Sequence, residues 1–283
     1  MLNYIIWNPD LVALHMGPVQ IRRYSLCWLI GLMLAYLAVK KLYREQRLSD
    51  EQFEPLFFYC FVGILLGARL GHCCFNQPEY FLTSWKGVFE MFVPVRLMGS
   101  GVVDSLTSGQ WHFIGYEGLA SHGGTFGIIV ALLLYGKLMK VRMWHVLDDI
   151  SIATGITACF IRLGNLMNSE IIGRPTDVPW AFIFERVDMQ PRHPGQLYEA
   201  IAYGLLFLLM WHLRKPLAKK IGTGFFFGLC LTYIFTFRFL IEWTKDIQEA
   251  FEADMLLNMG QLLSIPFIII GAVCMYRGWK IKN

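Results

Sequence analysis

The sequence predicts an all-α polytopic membrane protein: about seven transmembrane helices, a small extracytoplasmic cap of loops, the N-terminus outside and the C-terminus in the cytoplasm. Three observations predict it. Of the 283 residues, 55% are hydrophobic and only 16% are charged, whereas soluble domains average about 25% charged. Apolar runs near the ~20-residue length that crosses a bilayer recur along the whole chain, and the mean hydropathy is +0.46. Lys and Arg are dense in every second connection between those runs and sparse in the others. The net charge of +4 is small, and nothing in its distribution points to nucleic acid.

The runs fall near 24–42, 54–76, 122–140, 146–168, 197–213, 223–243 and 260–279, and 197–213 is the shortest. Residues 1–21 lack a basic stretch followed by an apolar one, so no cleavable leader is expected and the first span serves as the insertion signal. Lys40, Lys41, Arg44, Arg47, Lys137, Lys140, Arg142, Arg214, Lys215, Lys219, Lys220, Arg277, Lys280 and Lys282 lie in alternate connections and the tail. The opposite connections hold Lys86, Arg96, Arg174, Arg186, Arg192 and Lys245, over longer loops. The positive-inside rule places the denser set in the cytoplasm.

The chain reads as a single integral membrane domain, 1–283, with extracytoplasmic loop elements at 77–121 and 169–196. The first loop carries Pro78, Pro94, Gly99 to Gly101 and Gly118; the second carries Gly173, Pro175, Pro179, Pro191 and Pro194. Loops this long are usually functional. The seven cysteines sit in apolar spans without zinc-ligand spacing, so no metal site is expected of them.

The most informative stretch is 150–173, an apolar span that carries Arg162, Asn165, Asn168 and Glu170 near its end. A charge at membrane depth costs ~2.5–3.5 kcal/mol even on lenient scales, so it is kept where it is paired, faces a cavity or binds something. Arg162, Asn165 and Ser169 share one helical face at i, i+3 and i+7. Glu170 lies about 80° off that direction on an ideal helix, and joins the face only if the helix ends near Ser169. Arg69 stands between Gly67 and Gly71, which admit a second backbone. His122 precedes Gly123 and Gly124. Arg238 and Glu242, one turn apart, either neutralise one another or serve a common site. Asp148 and Asp149 read as a charge effect at a helix N-terminus. In this topology His122, Arg162, Glu170, Arg238 and Glu242 all fall in the outer half of the membrane. Arginines outnumber the acids there, which suits an anion, and the abundant anion is lipid phosphate, matched by the planar guanidinium fork.

Several motifs in order resemble those of the prolipoprotein diacylglyceryl transferase family. They are Ile161 to Gly173 (IRLGNLMNSEIIG), His122-Gly123-Gly124, Arg192 to Glu199 (RHPGQLYE), Phe237-Arg238 to Glu242, Gly67 to Gly71, Met259 to Pro266, and Tyr24. Ile161 stands where the family has Gly, Leu166 where it has an aromatic residue, and Ile234 where it has Tyr; segment 92–116 is weakly matched. The resemblance implies a bacterial inner-membrane enzyme with its active site toward the periplasm. Such an enzyme moves the sn-1,2-diacylglyceryl group of phosphatidylglycerol to the lipobox cysteine of a preprolipoprotein signal peptide and releases glycerol 1-phosphate, without cofactor. It further implies that Arg162 and Asn165 bind the headgroup, that Arg238 stabilises the departing phosphate and Glu242 orients it, that His122 or Glu170 takes the thiol proton, and that Arg69, Tyr24, Gly173 and Glu199 shape the site. A lipid transporter, or a seven-helix receptor, is the competing reading of the same composition.

Overall fold

Helices stand at all seven positions read as spans. The computed structural model describes residues 4–16, 19–93, 95–113, 118–246 and 255–281; Pro94 and Lys282, named above, and residues 114–116 of the weakly matched segment lie outside them. In chain order the helices are α1 (Arg23–Glu45), α2 (Asp50–Gly71), the short α3 (Pro78–Phe81), α4 (Trp85–Phe92) and α5 (Val102–Thr107), then α6 (Ser121–Leu138), α7 (Met143–Asn168), α8 (Gly195–Leu213), α9 (Phe225–Ile241) and α10 (Met259–Lys280). Five helical stretches are long and apolar enough to cross a membrane: Arg23–Glu45, Asp50–Asn76, Met143–Asn168, Phe225–Thr244 and Met259–Lys280. The apolar stretch His122–Leu138 is shorter.

Where plain loops are expected, the structure adds short strands. These are β1 (Ile5–Trp7), β2 (Val12–Met16), β3 (Val19–Arg22), β4 (Val95–Leu97), β5 (Trp111–Phe113), β6 (Phe182–Phe184) and β7 (Pro191–Arg192). β6 pairs parallel to β1 and antiparallel to β7, while β2–β3 and β4–β5 are two-stranded. The reason is period-two burial on a small scale. Phe182 and Phe184 point the same way into a cluster with Leu166, Trp7, Ile172 and Leu197, and the Trp7 indole donates to the Leu166 carbonyl at 2.8 Å.

The chain divides into two compact units, 1–47 with 144–283, and 48–143. In the smaller unit, α2 and α6 touch backbone to backbone. A Cβ on Gly67 would lie 2.4 Å from the Gly123 carbonyl oxygen, and one on Gly127 only 2.0 Å from that of Gly63. The glycines around Arg69 do admit a second helix, as their spacing predicts.

The larger unit packs α1, α7, α8 and α9 around Leu42, Ile152, Leu206, Met210, Phe226 and Cys230. Asp148 departs from its sequence reading. α7 begins at Met143, so Asp148 is in its second turn, fully buried, and serves another helix. Its Oδ2 accepts from the backbone N–H groups of Gly222, Thr223 and Gly224 at 2.8, 3.1 and 2.9 Å, and its Oδ1 from Phe227 at 2.8 Å. Gly222 and Gly224 have φ of +86° and +85°, which lets three successive N–H groups converge on one oxygen at the start of α9. Neighbouring Asp149 accepts from Gln46 of the α1 end at 2.6 Å.

Candidate functional site

The polar end of α7 is built by an abrupt stop. The helix ends at Asn168, and Ser169 and Ile171 both take positive φ, +56° and +55°. A β-branched residue rarely adopts that conformation, and such strain, ~1–3 kcal/mol, tends to collect at functional sites. The turn carries Glu170 back over the helix end. Its backbone N–H bonds the Asn165 carbonyl at 3.0 Å, and its carboxylate accepts from the side-chain amides of Asn165 at 2.9 Å and Asn168 at 3.0 Å. The condition under which Glu170 joins the Arg162 face is therefore met. Arg162 Nη1 in turn donates to Asn165 Oδ1 at 3.3 Å. Tyr24 packs on the same end of α7 from another side, its ring 2.9 Å from where a Gly164 Cβ would sit, so the glycine before Asn165 makes room for it.

A chain of buried charges continues from Arg162. Glu199 of α8, with no exposed surface, accepts from Lys245 Nζ on Oε1 at 3.0 Å, and its Oε2 stands 2.6 Å from Arg162 Nε as an ion pair without hydrogen-bond geometry. The same ammonium stands 3.3 Å from Glu242 Oε2. Glu242 therefore pairs with Lys245; no Glu242–Arg238 ion pair stands among the described residues, contrary to the expectation that Glu242 orients that arginine. The side chain decides it: Glu242 keeps helical backbone, with its N–H on the Arg238 carbonyl, and opens the Glu242–Thr244 turn, but its carboxylate swings toward Gly260 of α10, where a Cβ would lie 2.5 Å from Oε1. Arg238 has no carboxylate partner among the described residues. Tyr203 of α8, 4% exposed, lies close to Arg162 and Arg238.

Gly173 fastens the 169–196 segment to this network. It is buried, pairs with Lys245 as an isolated antiparallel bridge, and donates to the His193 carbonyl at 2.9 Å, while Arg174 N–H donates to the Thr244 carbonyl at 2.9 Å. A Cβ at Gly173 would come within 2.6 Å of both His193 Cβ and the Thr244 oxygen. Arg192 braces the same segment on Asp188 at 2.6 Å and Asp246 at 2.8 Å. The Asp188 carboxyl is held below its usual range chiefly by the hydrogen bond from Arg192. His193, 3.1 Å from the Tyr198 hydroxyl, is pushed down by burial first and by Arg174 second.

The smaller unit holds the other two expected site residues. His122, at the start of α6, is exposed at the rim of a cavity of about 770 Å³ lined also by Gly67, Leu70, Cys74, Asn76 and Phe126. The cavity lies against a π-helical turn, His72–Asn76, a distortion often found at functional sites. Arg69 is 3% exposed, donates from Nε to the Met91 carbonyl at 3.2 Å and from Nη2 to the Glu90 carbonyl at 2.9 Å, and lies over the Phe81 ring. These bonds cap the last turn of α4. Glu90, itself buried, accepts from Leu97 N–H at 2.9 Å and the Tyr80 hydroxyl at 2.6 Å. Sequence reasoning missed Lys245, read as a plain loop charge, and Tyr203. It also missed Gln196, buried in α8, whose amide donates to the Glu170 carbonyl at 2.6 Å. Gln196 and Glu199 sit at i, i+3, the one signal that could have found them.

The family model described as prolipoprotein diacylglyceryl transferase matches residues 11–277. A Bacteroides fragilis protein named phosphatidylglycerol–prolipoprotein diacylglyceryl transferase is 56% identical over all of this chain and 98% of its own length. Proteins of the same name from Tolumonas auensis and Porphyromonas gingivalis are 39% and 40% identical, each over 98% of this chain and over 99% and 95% of their own. The chain belongs to the prolipoprotein diacylglyceryl transferase family.

Proposed function

From this membership we propose that the protein transfers the sn-1,2-diacylglyceryl group of phosphatidylglycerol to the lipobox cysteine of a preprolipoprotein signal peptide, the first step of lipoprotein lipidation. The relatives' names supply the lipid and the acceptor class. In the reaction a sulfur–carbon bond forms at the glyceryl carbon that carried the phosphate, and the carbon–oxygen bond to that phosphate breaks. The thiol proton goes to a base and glycerol 1-phosphate leaves with the electron pair. Negative charge grows on the phosphate, and fixed cations in a site that excludes water are what such a step needs.

The observation that carries the reading is the surplus cation. Glu199 and Glu242 are occupied by Arg162 and Lys245, and Arg238 keeps a guanidinium with no carboxylate among the described residues. Arg162, tied through Nε, offers its terminal nitrogens to the phosphate. Asn165 and the exposed carboxylate of Glu170 face the headgroup, and Arg238 meets the departing phosphate. Tyr24 packs on Gly164 at the same helix end, and Gly173 and Glu199 hold the site in place. His122 takes the thiol proton, since the thiolate is the nucleophile. The density of Lys and Arg in alternate connections supports seven helices, an outer N-terminus, and residence in the bacterial inner membrane with the site toward the periplasm.

The test is purified protein with phosphatidylglycerol vesicles and a lipobox peptide. A diacylglyceryl mass gain on the peptide cysteine is expected, and an unmodified peptide in the presence of folded protein refutes the assignment. His122→Gln should lower turnover on the order of 10²–10⁴; near-normal turnover removes His122 as the base and leaves Glu170.

A further inference from the structure

We propose that Lys245 is a positioning residue of this site. Its ammonium holds Glu242 off Arg238 and balances Glu199, which keeps Arg238 and the terminal nitrogens of Arg162 available to a lipid phosphate. The inference rests on the phosphatidylglycerol reading above.

Three features of the structure lead to it. First, Lys245 is an unusual lysine. It follows the helical turn that ends α9, yet its side chain is only 6% exposed. A buried ammonium is kept only with close counter-charges, and here it has two, Glu199 Oε1 at 3.0 Å and Glu242 Oε2 at 3.3 Å. Second, Glu242 has a competing partner. It lies four residues after Arg238, a spacing that normally brings an acid and a base together on one helix face. The backbone keeps that spacing, with Glu242 helical and its N–H on the Arg238 carbonyl, and the pair stays open because Gly260 leaves room for the turned carboxylate and Lys245 receives it. Third, Lys245 is fixed from the backbone. Its N–H bonds the Glu242 carbonyl at 3.1 Å, it bridges Gly173, and its neighbour Thr244 accepts from Arg174 N–H.

The charge count gives the consequence. Among the described residues of the buried ion-pair chain, three cations (Arg162, Arg238, Lys245) face two acids, Glu199 and Glu242, which leaves one positive charge for an anion beside the Glu170 carboxylate that Asn165 and Asn168 hold. Without it, two arginines face two acids. Glu242 then turns to Arg238, Glu199 keeps Arg162, and the site no longer attracts a phosphate. A brace that served folding alone would make no distinction between charged and uncharged lipids.

The experiment measures lipid binding to detergent-purified full chain by competition, with phosphatidylglycerol and diacylglycerol as the two probes, alongside the transfer assay. Lys245→Met should weaken phosphatidylglycerol binding about tenfold and leave diacylglycerol binding within twofold. Lys245→Arg should retain most binding. Adding Glu242→Gln to Lys245→Met should recover most of the phosphatidylglycerol affinity, because a neutral residue 242 no longer competes for Arg238. Equal loss for both lipids overturns the inference, as does a double variant no better than Lys245→Met, or a wild type with no preference for the charged lipid. A wild type that binds phosphatidylglycerol selectively but transfers nothing instead refutes the enzymatic reading and leaves the role of Lys245 standing.

Discussion

The two ends of α7 carry buried charge for opposite purposes. Near its start, Asp148 is fully buried and accepts four backbone hydrogen bonds from the turn that opens α9. Every bond is to the chain itself, which leaves that carboxylate nothing to offer a ligand. Near its end, Arg162, Asn165 and Glu170 are tied to one another and to Glu199, yet terminal guanidinium nitrogens of Arg162, the exposed Glu170 carboxylate and the nearby Arg238 retain hydrogen-bonding capacity. Buried charge that is saturated by its own protein is structural. Buried charge that is positioned but unsaturated is where a substrate completes the set.

The contrast breaks or sharpens under mutation. The largest effect belongs to the unsaturated end. Arg162→Ala should lower transfer by about 10²–10³-fold, the range seen when one preorganised charge-stabilising group is removed, in protein whose gel-filtration profile is unchanged. Retention of most activity would erase the functional half of the comparison. Asp148→Ala should do the reverse, leaving four N–H groups without an acceptor at a stability cost on the order of 3 kcal/mol, read as a lower thermal midpoint in detergent. Turnover per folded molecule should stay near normal; a loss as deep as that of Arg162→Ala would show that the two ends are not separable.

A smaller, mixed effect is expected at the joint. Gly173→Ala places a methyl 2.6 Å from the Thr244 oxygen, and overpacking of this kind costs ~1–3 kcal/mol. Because the displaced strand carries Lys245, transfer should fall roughly tenfold, consistent with tenfold per ~1.4 kcal/mol of misplaced binding. The smallest effect is acid sensitivity at His193. Its folded pKa lies below the usual range, so the unfolded chain binds the proton more readily. Stability is complete above the unfolded value of about 6.5 and is lost as pH falls below it. Thermal midpoints of wild type and His193→Gln should converge at neutral pH and separate on acidification, with wild type falling faster; parallel curves would show that His193 is not coupled to this anchor.

Much of this was legible before any coordinates. The seven helix positions follow from apolar runs because no water in a bilayer can satisfy a backbone, so length and hydropathy speak directly. The Arg162, Asn165 face follows from helical spacing, and even the return of Glu170 followed once a helix end at Ser169 was granted. Arg69 shows the limit. Its flanking glycines announced a close helix, and α6 is there, but the carbonyls of Glu90 and Met91 that consume the guanidinium belong to a short helix in a segment without a strong pattern. Family resemblance placed Arg69 with the residues that shape the site, and what the structure adds is its bonds to the end of α4.

The sequence by itself determined where the apolar helices stand and which polar residues share a helical face, because both are set by local composition and periods of a few residues. Only the tertiary structure decided which charges cancel. Glu199 meets Arg162 and Lys245 across 37 and 46 residues, and Asp148 meets its amides across 74 to 79. An ion pair buried away from water depends on separations of a few ångströms that no local pattern encodes. The arginine left without a carboxylate is known only after the others have been paired.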